Sequence, residues 1–437
     1  MFRRLWIVPA LMLMATSSVP AQEKAADDKN AAASAKADND AKAKEDAKAK
    51  EGAKPKEDAT KQGAKADAGD EFQREFAEWK ELLAKLRGLR VKWFSAKPAE
   101  RKAIEEEYAG LVKQGEEMEP KIIAGAEAAY AAAPDKDPEI GKFLAELVNE
   151  EIERDDYEPA LKRAKLLIEH KYDNPRIYNL AGIAALATND FDDARKYLEE
   201  AQKASSLDST GQTFLSKIDE CQKLWEKEAE LREAEAKADD LPRVLLKTSK
   251  GDLVIELFEN EAPNTVANFI SLVEAGYYDG LAFHRVVPHF MAQGGDPKGD
   301  GTGGPGYTIP DEQGQPNHRN HFRGSLSMAK TNAPNSGGSQ FFLMFRPSGP
   351  ISGYDLNGKH AVFGRVIEGM DVLAKLTRTK NEKDESTNKD PDTIVEAKVL
   401  RKRDHEYKVV KVGDPGASKK DKEAEPAADK ADKKDSE

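Results

Sequence analysis

The sequence predicts a multidomain chain in which an all-α repeat segment precedes a mainly β domain. Three observations support this prediction. Apolar residues recur at spacings of three and four over residues 71–240, which indicates amphipathic helices. Within that segment a pattern repeats with a period of 34 residues, which is typical of stacked helical units. Over residues 243–412, short strand signals alternate with Gly- and Pro-rich loops, which favours a closed antiparallel barrel with two capping helices.

Both ends of the chain have a composition that does not support a packed core. The chain has 437 residues, too many for one ordinary core, yet 34% of them are charged. Residues 22–70 consist almost entirely of Ala, Lys, Asp, Glu and Gly, and residues 413–437 have the same character. Such segments cannot bury enough apolar surface to offset chain entropy. We therefore expect a disordered linker at 22–70 and a disordered tail at 413–437.

The first 21 residues resemble a secretory signal peptide. Arg3 and Arg4 precede an apolar run from Leu5 to Met14, and small residues follow up to Ala21. We expect cleavage after Ala21 and export of the protein, with a periplasmic or secreted location. The apolar run is shorter than the ~20 residues that a membrane-spanning helix needs. No second long apolar segment follows, so we expect no membrane span in the mature protein.

Charge and cysteine content argue against a nucleic-acid-binding surface and against an intrachain disulfide. The formal net charge is −12 and basic residues are interleaved with acidic ones, so the sequence predicts no nucleic-acid-binding surface. The single cysteine, Cys221, cannot form an intrachain disulfide. It shares an apolar stripe with Phe214, Ile218 and Trp225, so we expect it to pack rather than react. The mostly charged continuation at 227–240 suggests a capping helix that becomes a solvated connector.

The 34-residue period relates two helical pairs. Tyr157 and Phe191 are 34 residues apart, as are Ala160 and Ala194. Small residues at fixed points allow two helices to approach closely, and the second unit, which contains Gly182 and Ala194, shows the pattern most clearly. The period and the small residues resemble the tetratricopeptide repeat. This resemblance implies a concave groove for a protein partner; the alternative is that two or three repeats only fold and space the domains.

The β domain opens with a hairpin. Residues 243–247 and 252–257 have strand patterns and are joined by a turn at Ser249-Lys250-Gly251. Pro263 then starts a short helix, and Gly276 follows as its cap.

Several blocks of this domain together resemble the signature of the cyclophilins, which are peptidyl-prolyl cis–trans isomerases. They occur in the family's order, and although each block alone is weakly specific, the whole series is highly specific. The blocks are FHRVVPHFMAQGGD at 283–296, GTGG at 301–304, PDE at 310–312, SLSMA at 325–329, PNSGGSQFF at 334–342, LNGKHAVFG at 356–364 and EGM at 368–370.

The resemblance implies a peptidyl-prolyl isomerase that acts on proline-containing polypeptide clients. Rotation about the prolyl bond breaks no bond to carbon, so it needs no nucleophile, metal or cofactor. The family's catalytic residues match Arg285, Gln293, Phe290 and His360. Its substrate-binding residues match Met291, Ala329, Lys330, Phe342 and Leu356.

Each of these positions has an expected role. Arg285 would hydrogen-bond the prolyl nitrogen in the twisted transition state, and Gln293 would hold the substrate carbonyl. His360 would lie at the edge of an apolar slot for the proline ring. The backbone near Ala329 and Lys330 would pair with the peptide like an added strand.

The combined prediction is an exported isomerase that assists the folding of other exported proteins. The alternative is a non-catalytic chaperone that binds proline peptides, or a scaffold whose repeats are the partner-binding module. The intact set of Arg285, Phe290, Gln293 and Phe342 argues against a decayed site.

The chain departs from the family pattern at two places near the groove. Asp355 occupies the position where eukaryotic cyclophilins commonly carry a tryptophan that helps to bind cyclosporin, so the resemblance does not extend to cyclosporin sensitivity. Residues 332–333 and 346–353 do not align cleanly, which predicts altered loops around the groove.

Two further features lie outside the motif blocks. The spacing of His289, His318 and His321 fits no compact metal motif, so we expect these histidines in surface loops. One interpretation of residues 404–412 is an added edge strand.

Overall fold

The computed structural model describes residues 58–134, 136–349, 351 and 355–414, with side chains from residue 72. The predicted signal peptide at 1–21, the predicted linker up to residue 57 and the predicted tail from residue 415 lie outside these residues. The chain divides into two compact units, one ending at Phe143 and one beginning at Leu144. Within the described part of the chain, every helix is too short or too polar to cross a membrane.

The first unit is built on two long helices, α1 (Asp58–Ser95) and α2 (Pro98–Ala132). The chain breaks between them at residues 96–97, and Pro98 occupies the first turn of α2, where proline is tolerated. Helix α1 begins at Asp58, inside the stretch that we predicted to be a disordered linker. Alanine and lysine are strong helix formers, so a helix that gains packing further along can extend back through such a stretch.

Five further helices are α3 (Pro138–Glu153), α4 (Tyr157–Glu169), α5 (Arg176–Ala187), α6 (Phe191–Lys203) and α7 (Ser209–Ala238). The 34-residue period corresponds to a structural offset, because Tyr157 and Phe191 are the first residues of α4 and α6. Ala160 and Ala194 are both fully buried. A Cβ atom at Gly182 would lie 2.5 Å from Cγ of Leu198, so glycine permits the close approach of α5 and α6.

Most residues of the second half of α7 are exposed, but Glu228 departs from the predicted solvated connector. Glu228 is only 4% exposed, and both its carboxylate oxygens accept hydrogen bonds of 2.8 Å from Arg319, a residue of the β domain. Earlier in α7, Trp225 packs edge-on against Phe322 with ring centroids 5.0 Å apart. Cys221 is buried as predicted, and burial raises its pKa to about 11. Charged composition was misleading at Glu228 and Glu235, because these two carboxylates face arginines rather than water.

The β domain contains one eight-stranded antiparallel sheet with the strand order β3-β4-β6-β5-β7-β2-β1-β8. Its strands are β1 (Arg243–Thr248), β2 (Gly251–Leu257), β3 (Arg285–Val287), β4 (Met291–Gly294), β5 (Ser325–Met328), β6 (Phe341–Met344), β7 (Val362–Glu368) and β8 (Ile394–Arg401). The turn at 249–250 confirms the predicted hairpin. Helices α8 (Pro263–Glu274) and α9 (Met370–Lys375) are the two predicted covering helices.

The predicted closed barrel is only partly formed. The outermost strands, β3 and β8, have no ladder between them in the described residues. The isolated bridge between Ala282 and Thr393 and the hydrogen bond from Phe283 N to the Asp392 carbonyl, 2.9 Å, join the chain just before each strand. Strand β3 has only three residues, so it is too short to extend this contact into a ladder.

Residues 404–412 do not form the added edge strand. They run as irregular chain back over the domain, where Tyr407 packs against the core and Val412 N donates to the Thr308 carbonyl at 2.9 Å. The phenol of Tyr407 donates to Glu259, which anchors this segment away from a sheet edge.

Candidate functional site

The site lies on the outer face of strands β3, β4 and β6. Side chains alternate along these strands, so Val286, Ala292 and Leu343 point into the main core. Their neighbours form a separate apolar cluster of Val287, Met291, Phe342 and Met344, against which Phe290, Ala329 and Leu356 pack. The sheet register places Arg285 opposite Gln293 and Gln293 opposite Phe342. One charged, one amide and several apolar side chains therefore meet at one surface.

Arg285 is held at the edge of this apolar cluster. Its Nη1 lies 3.3 Å from Oε1 of Gln293, and its guanidinium carbon lies 5.8 Å from the ring centroid of Phe290. Its Nε and Nη2 face the carboxylate of Asp384 at 2.9 and 2.8 Å. The Arg285 side chain is 31% exposed. The guanidinium is thus oriented from two sides while one of its ends faces the apolar cluster.

Asp384 is a residue that the sequence did not identify. It belongs to a short hairpin at residues 379–388, in which Asn381 N donates to the Glu385 carbonyl at 2.9 Å. Lys380 N donates to the Val286 carbonyl at 3.1 Å, so the hairpin lies beside β3. Asp384 has φ of 61°, a left-handed conformation that aspartate tolerates better than most residues. No motif covers this hairpin, so the sequence contained no signal for the Asp384–Arg285 pair.

Gln340 completes an amide chain next to the arginine. Gln293 Nε2 donates to Oε1 of Gln340 at 2.9 Å, and Gln340 Nε2 donates to the carbonyls of Gly301 and Gly303 at 3.0 and 2.9 Å. The Gly301–Gly304 turn therefore lies next to the site. Gln340 was not predicted as a site residue, although it belongs to the quoted block at 334–342.

Two histidines flank the ring of Phe342. His360 lies edge-on at a centroid distance of 5.4 Å, and its Nδ1 lies 3.0 Å from the Met328 carbonyl. Burial lowers the pKa of His360, which leaves its ring neutral near pH 7. His321 stacks on the other side at 5.9 Å and is 1% exposed, so its predicted place in a surface loop is wrong. The hydrogen bond between its Nδ1 and Oδ1 of Asn357, 3.0 Å, compensates part of that burial.

Ala329 and Lys330 are less open to a peptide than the sequence predicts. The Ala329 amide already donates to the Gln340 carbonyl at 2.9 Å. The Lys330 ammonium is 2.9 Å from Asp311, and its side chain is 10% exposed. An added peptide strand would therefore need to use other backbone groups of this segment.

The assembled site combines the apolar cluster, which we call the apolar slot, with a fixed cationic donor, the guanidinium of Arg285. The slot suits a small apolar ring, and the guanidinium suits an atom that gains a lone pair or negative charge. The amide groups of Gln293 and Gln340 suit a peptide group, because an amide offers both a donor and an acceptor. Among the nine predicted site residues, Lys330 directs its ammonium group to Asp311 and not to the apolar cluster.

Sequence comparison identifies relatives of the β domain. Residues 243–399 match the family model described as cyclophilin type peptidyl-prolyl cis-trans isomerase/CLD. A peptidyl-prolyl cis-trans isomerase of Synechococcus elongatus is 47% identical over 139 residues, which are 32% of this chain and 88% of the relative. Peptidyl-prolyl cis-trans isomerase B of Bacillus subtilis is 51% identical over 122 residues, which are 28% of this chain and 80% of the relative.

Structural comparison finds a similar chain in Cryptosporidium parvum. It is a cyclophilin type peptidyl-prolyl cis-trans isomerase crystallised in the presence of the dipeptide Ala-Pro. It is 33% identical, and the match covers 36% of this chain and 98% of that chain with a TM-score of 0.31.

Proposed function

This chain belongs to the cyclophilin type peptidyl-prolyl cis–trans isomerases, and from that premise we propose that it isomerises prolyl bonds of exported proteins, with Arg285 as the catalytic donor. The isomerase activity follows from the family. The role of Arg285, the exported clients and the use of the helical repeats are the proposed parts.

The reaction requires stabilisation of a twisted amide. The planar prolyl bond has partial double-bond character and a rotation barrier of about 18–20 kcal/mol. At the twisted state resonance is lost and the nitrogen gains a localised lone pair. A donor aimed at that nitrogen binds the twisted state more strongly than the planar state, and only such a difference accelerates the reaction.

The surroundings of Arg285 support this role. Asp384 holds Nε and Nη2, and Gln293 lies against Nη1, so the donor is fixed before substrate binds. A preorganised donor costs little reorganisation during the reaction. The guanidinium stays charged at any physiological pH and presents its donors in a rigid fork. The observation that carries the proposal is this fixed guanidinium at the edge of an apolar slot.

The remaining site residues would orient the peptide. Phe290, Met291, Phe342 and Leu356 would hold the proline ring, because they form or border the apolar cluster. The Nε2 of Gln293 would donate to the substrate carbonyl after it leaves its hydrogen bond with Oε1 of Gln340. A neutral His360 at the slot's edge would add an apolar ring face without placing a second positive charge next to Arg285.

The test compares Arg285→Ala and Arg285→Lys with the unchanged protein on a chromogenic Xaa-Pro peptide. We expect Arg285→Ala to lower kcat/KM about a hundredfold, as loss of one preorganised donor commonly does. We expect Arg285→Lys to recover little of this loss, because a lysine lacks the planar fork. Arg74→Ala, a change at an exposed arginine of α1, is the control and should retain full activity. An Arg285→Ala protein with more than a third of the activity would contradict the proposed role and favour the peptide-binding chaperone.

Export is proposed from the N-terminal segment alone. Its charged start, apolar run and small residues up to Ala21 support a cleaved signal peptide. Mass spectrometry of the protein recovered from outside the cytoplasm should show a chain that begins at Gln22. A full-length chain confined to the cytoplasm would contradict export and leave the isomerase assignment unaffected.

The helical pairs at 138–203 are proposed to be tetratricopeptide-type repeats that recruit clients. The 34-residue offset of α4 and α6 and the close packing at Gly182 support this assignment. If the repeats recruit clients, kcat/KM for an unfolded protein relative to a short peptide should exceed that of the Bacillus subtilis relative at least tenfold. Equal ratios would indicate that the repeats only support the fold.

A further inference from the structure

We propose that Glu153, His289 and Glu382 form a binding site for one divalent transition-metal ion of the Zn²⁺ class. The three residues come from the end of α3, the turn between β3 and β4, and the 379–388 hairpin. One potential ligand atom from each residue lies within 4.8 Å of the other two. Nε2 of His289 is 3.8 Å from Oε2 of Glu153.

The orientation of His289 is the strongest argument for this site. Its Nδ1 lies 2.9 Å from Oδ1 of Asp155, and its backbone amide donates to Oδ2 of the same carboxylate at 3.1 Å. Because a carboxylate accepts, Nδ1 carries the proton and Nε2 is left to face Glu153. Metal-binding histidines almost always donate their other ring N–H to a carboxylate or carbonyl in this way. The ring is therefore held in the orientation that a metal ligand requires, and a bound ion would replace the proton of the Nε2 that faces Glu153.

Asp155 is itself fixed by groups outside the metal cluster. It is fully buried, and its carboxylate accepts a hydrogen bond of 2.7 Å from Arg378 and one of 2.8 Å from the phenol of Tyr157. A buried carboxylate with these partners cannot rotate away when a metal binds at the far side of the imidazole. The supporting half of the site is thus rigid, whereas Glu153 and Glu382 are exposed and free to adjust.

The ligand set selects the class of metal. One imidazole nitrogen and two carboxylates, with an open position for water, suit Zn²⁺ and similar ions. Ca²⁺ and Mg²⁺ prefer sites made of oxygen alone. Ligands at about 2.0–2.2 Å from zinc in a tetrahedron are ~3.4 Å apart, so small rotations of the two exposed glutamates would close the site.

The position of the site links three parts of the second unit. His289 directly precedes Phe290 of the apolar slot, and Glu382 lies two residues before Asp384, which holds Arg285. A bound ion would tie the end of α3 and the hairpin to the turn that carries Phe290. This consequence for the slot depends on the proposed function, whereas metal binding itself does not.

Glu382 provides the test, because an ion pair between His289 and Glu153 needs no third carboxylate. The full-length protein, prepared without a polyhistidine tag and stripped with a chelator, would be titrated with ZnCl2 by calorimetry. We expect one site with a Kd near or below about 1 μM and at least tenfold weaker binding by Glu382→Gln and by Glu153→Gln. Glu385→Gln, on the same hairpin but outside the cluster, is the matched control and should bind zinc as tightly as the unchanged protein.

Further measurements distinguish this site from adventitious zinc binding. Zinc should raise Tm of the unchanged protein and of Glu385→Gln but not of Glu382→Gln. His289→Gln is avoided because it would leave Asp155 without its main partner. Absence of saturable binding, equal loss in Glu382→Gln and Glu385→Gln, or equal affinity for Ca²⁺ would overturn the proposal. An isomerase assay on the same samples would show whether any failure of the proposed function occurs with zinc binding intact.

Discussion

Two arginines of the second unit show how surroundings divide structural from chemical roles. Arg319 has a side chain that is 0% exposed; its Nε and Nη2 donate to Glu228, and its Nη1 contacts Glu235. Arg285 is 31% exposed, has one carboxylate partner and directs Nη1 towards an amide at the edge of an apolar cluster. A fully paired arginine has no donor left for a substrate, whereas Arg285 keeps one end in reach of a bound ring.

The two arginines also differ in how much stability is lost when their ion pairs are broken. Burial by itself would raise the pKa of Glu228, but its hydrogen bonds and charge pairing with Arg319 outweigh that effect and hold the pKa below its usual range. Such a pair is costly to break because the remaining charge stays buried. At Arg285 the partners are partly solvated, so changes there are expected to affect the reaction more than the stability.

The largest effect on stability is expected for Glu228→Ala. Removing this carboxylate leaves the guanidinium of Arg319 buried and short of partners, which should lower the free energy of unfolding by about 3–5 kcal/mol. Urea unfolding measures this, and kcat/KM of the folded protein should stay unchanged. Glu220→Ala, on the same helix but with a half-exposed carboxylate, is the control and should change stability by less than ~1 kcal/mol. Similar losses in both variants would remove the distinction between the two regions.

An intermediate effect is expected at acidic pH from His321, which lines the slot but is buried like Arg319. Burial lowers its pKa to about 3, so the ring stays neutral in the folded protein, whereas in the unfolded chain it gains a proton below about pH 6.5. The unfolded state then binds more protons, and stability falls as pH falls from 6.5 towards 3. The expected loss is about 1.6 kcal/mol between pH 6.5 and 5.

Unfolding free energies measured over this pH range should be flatter for His321→Gln than for the unchanged protein. His318→Gln, at an exposed neighbour, should keep the original slope. A slope in His321→Gln as steep as in the unchanged protein would mean that this histidine is not neutral inside the fold.

The smallest effect is expected for Asp384→Asn. The asparagine keeps the shape of the side chain but replaces the carboxylate that fixes Nε and Nη2 of Arg285. Poorer orientation of the donor should lower kcat/KM about threefold to tenfold with little change in Tm. Glu385→Gln serves as the control on the same hairpin. A rise in kcat/KM would show instead that Asp384 weakens Arg285 as a donor by neutralising its charge.

Much of the candidate site was predictable from sequence because its residues lie in motif blocks on short strands. Arg285, Met291, Gln293 and Phe342 are brought together by the register of β3, β4 and β6. Gln340 belongs to one of the same blocks and could have been predicted with them. Asp384 could not, because it lies 99 residues from its partner in a hairpin without a recognisable pattern.

The fold was predictable where one face of an element is buried. Such a face imposes a period of about 3.6 on a helix or 2 on a strand, and these periods appear in the residues themselves. They predicted the helical segment and its 34-residue offset, the first hairpin and the antiparallel sheet. They could not show that β3 and β8 form no ladder in the described residues, because closure depends on how far the whole sheet curls.

By itself, then, the sequence determined the family, the order of helices and strands and most of the apolar slot. Only the tertiary structure decided that Glu228 is a buried partner of Arg319, that His321 lies inside the slot's wall, and that Glu153, His289 and Glu382 converge. The physical reason is that the periodic spacing of apolar residues reveals which face of an element is buried, but nothing in the sequence around a polar side chain reveals its partner. Its role depends on which distant charge the folded chain brings within hydrogen-bonding distance and how much water remains between them.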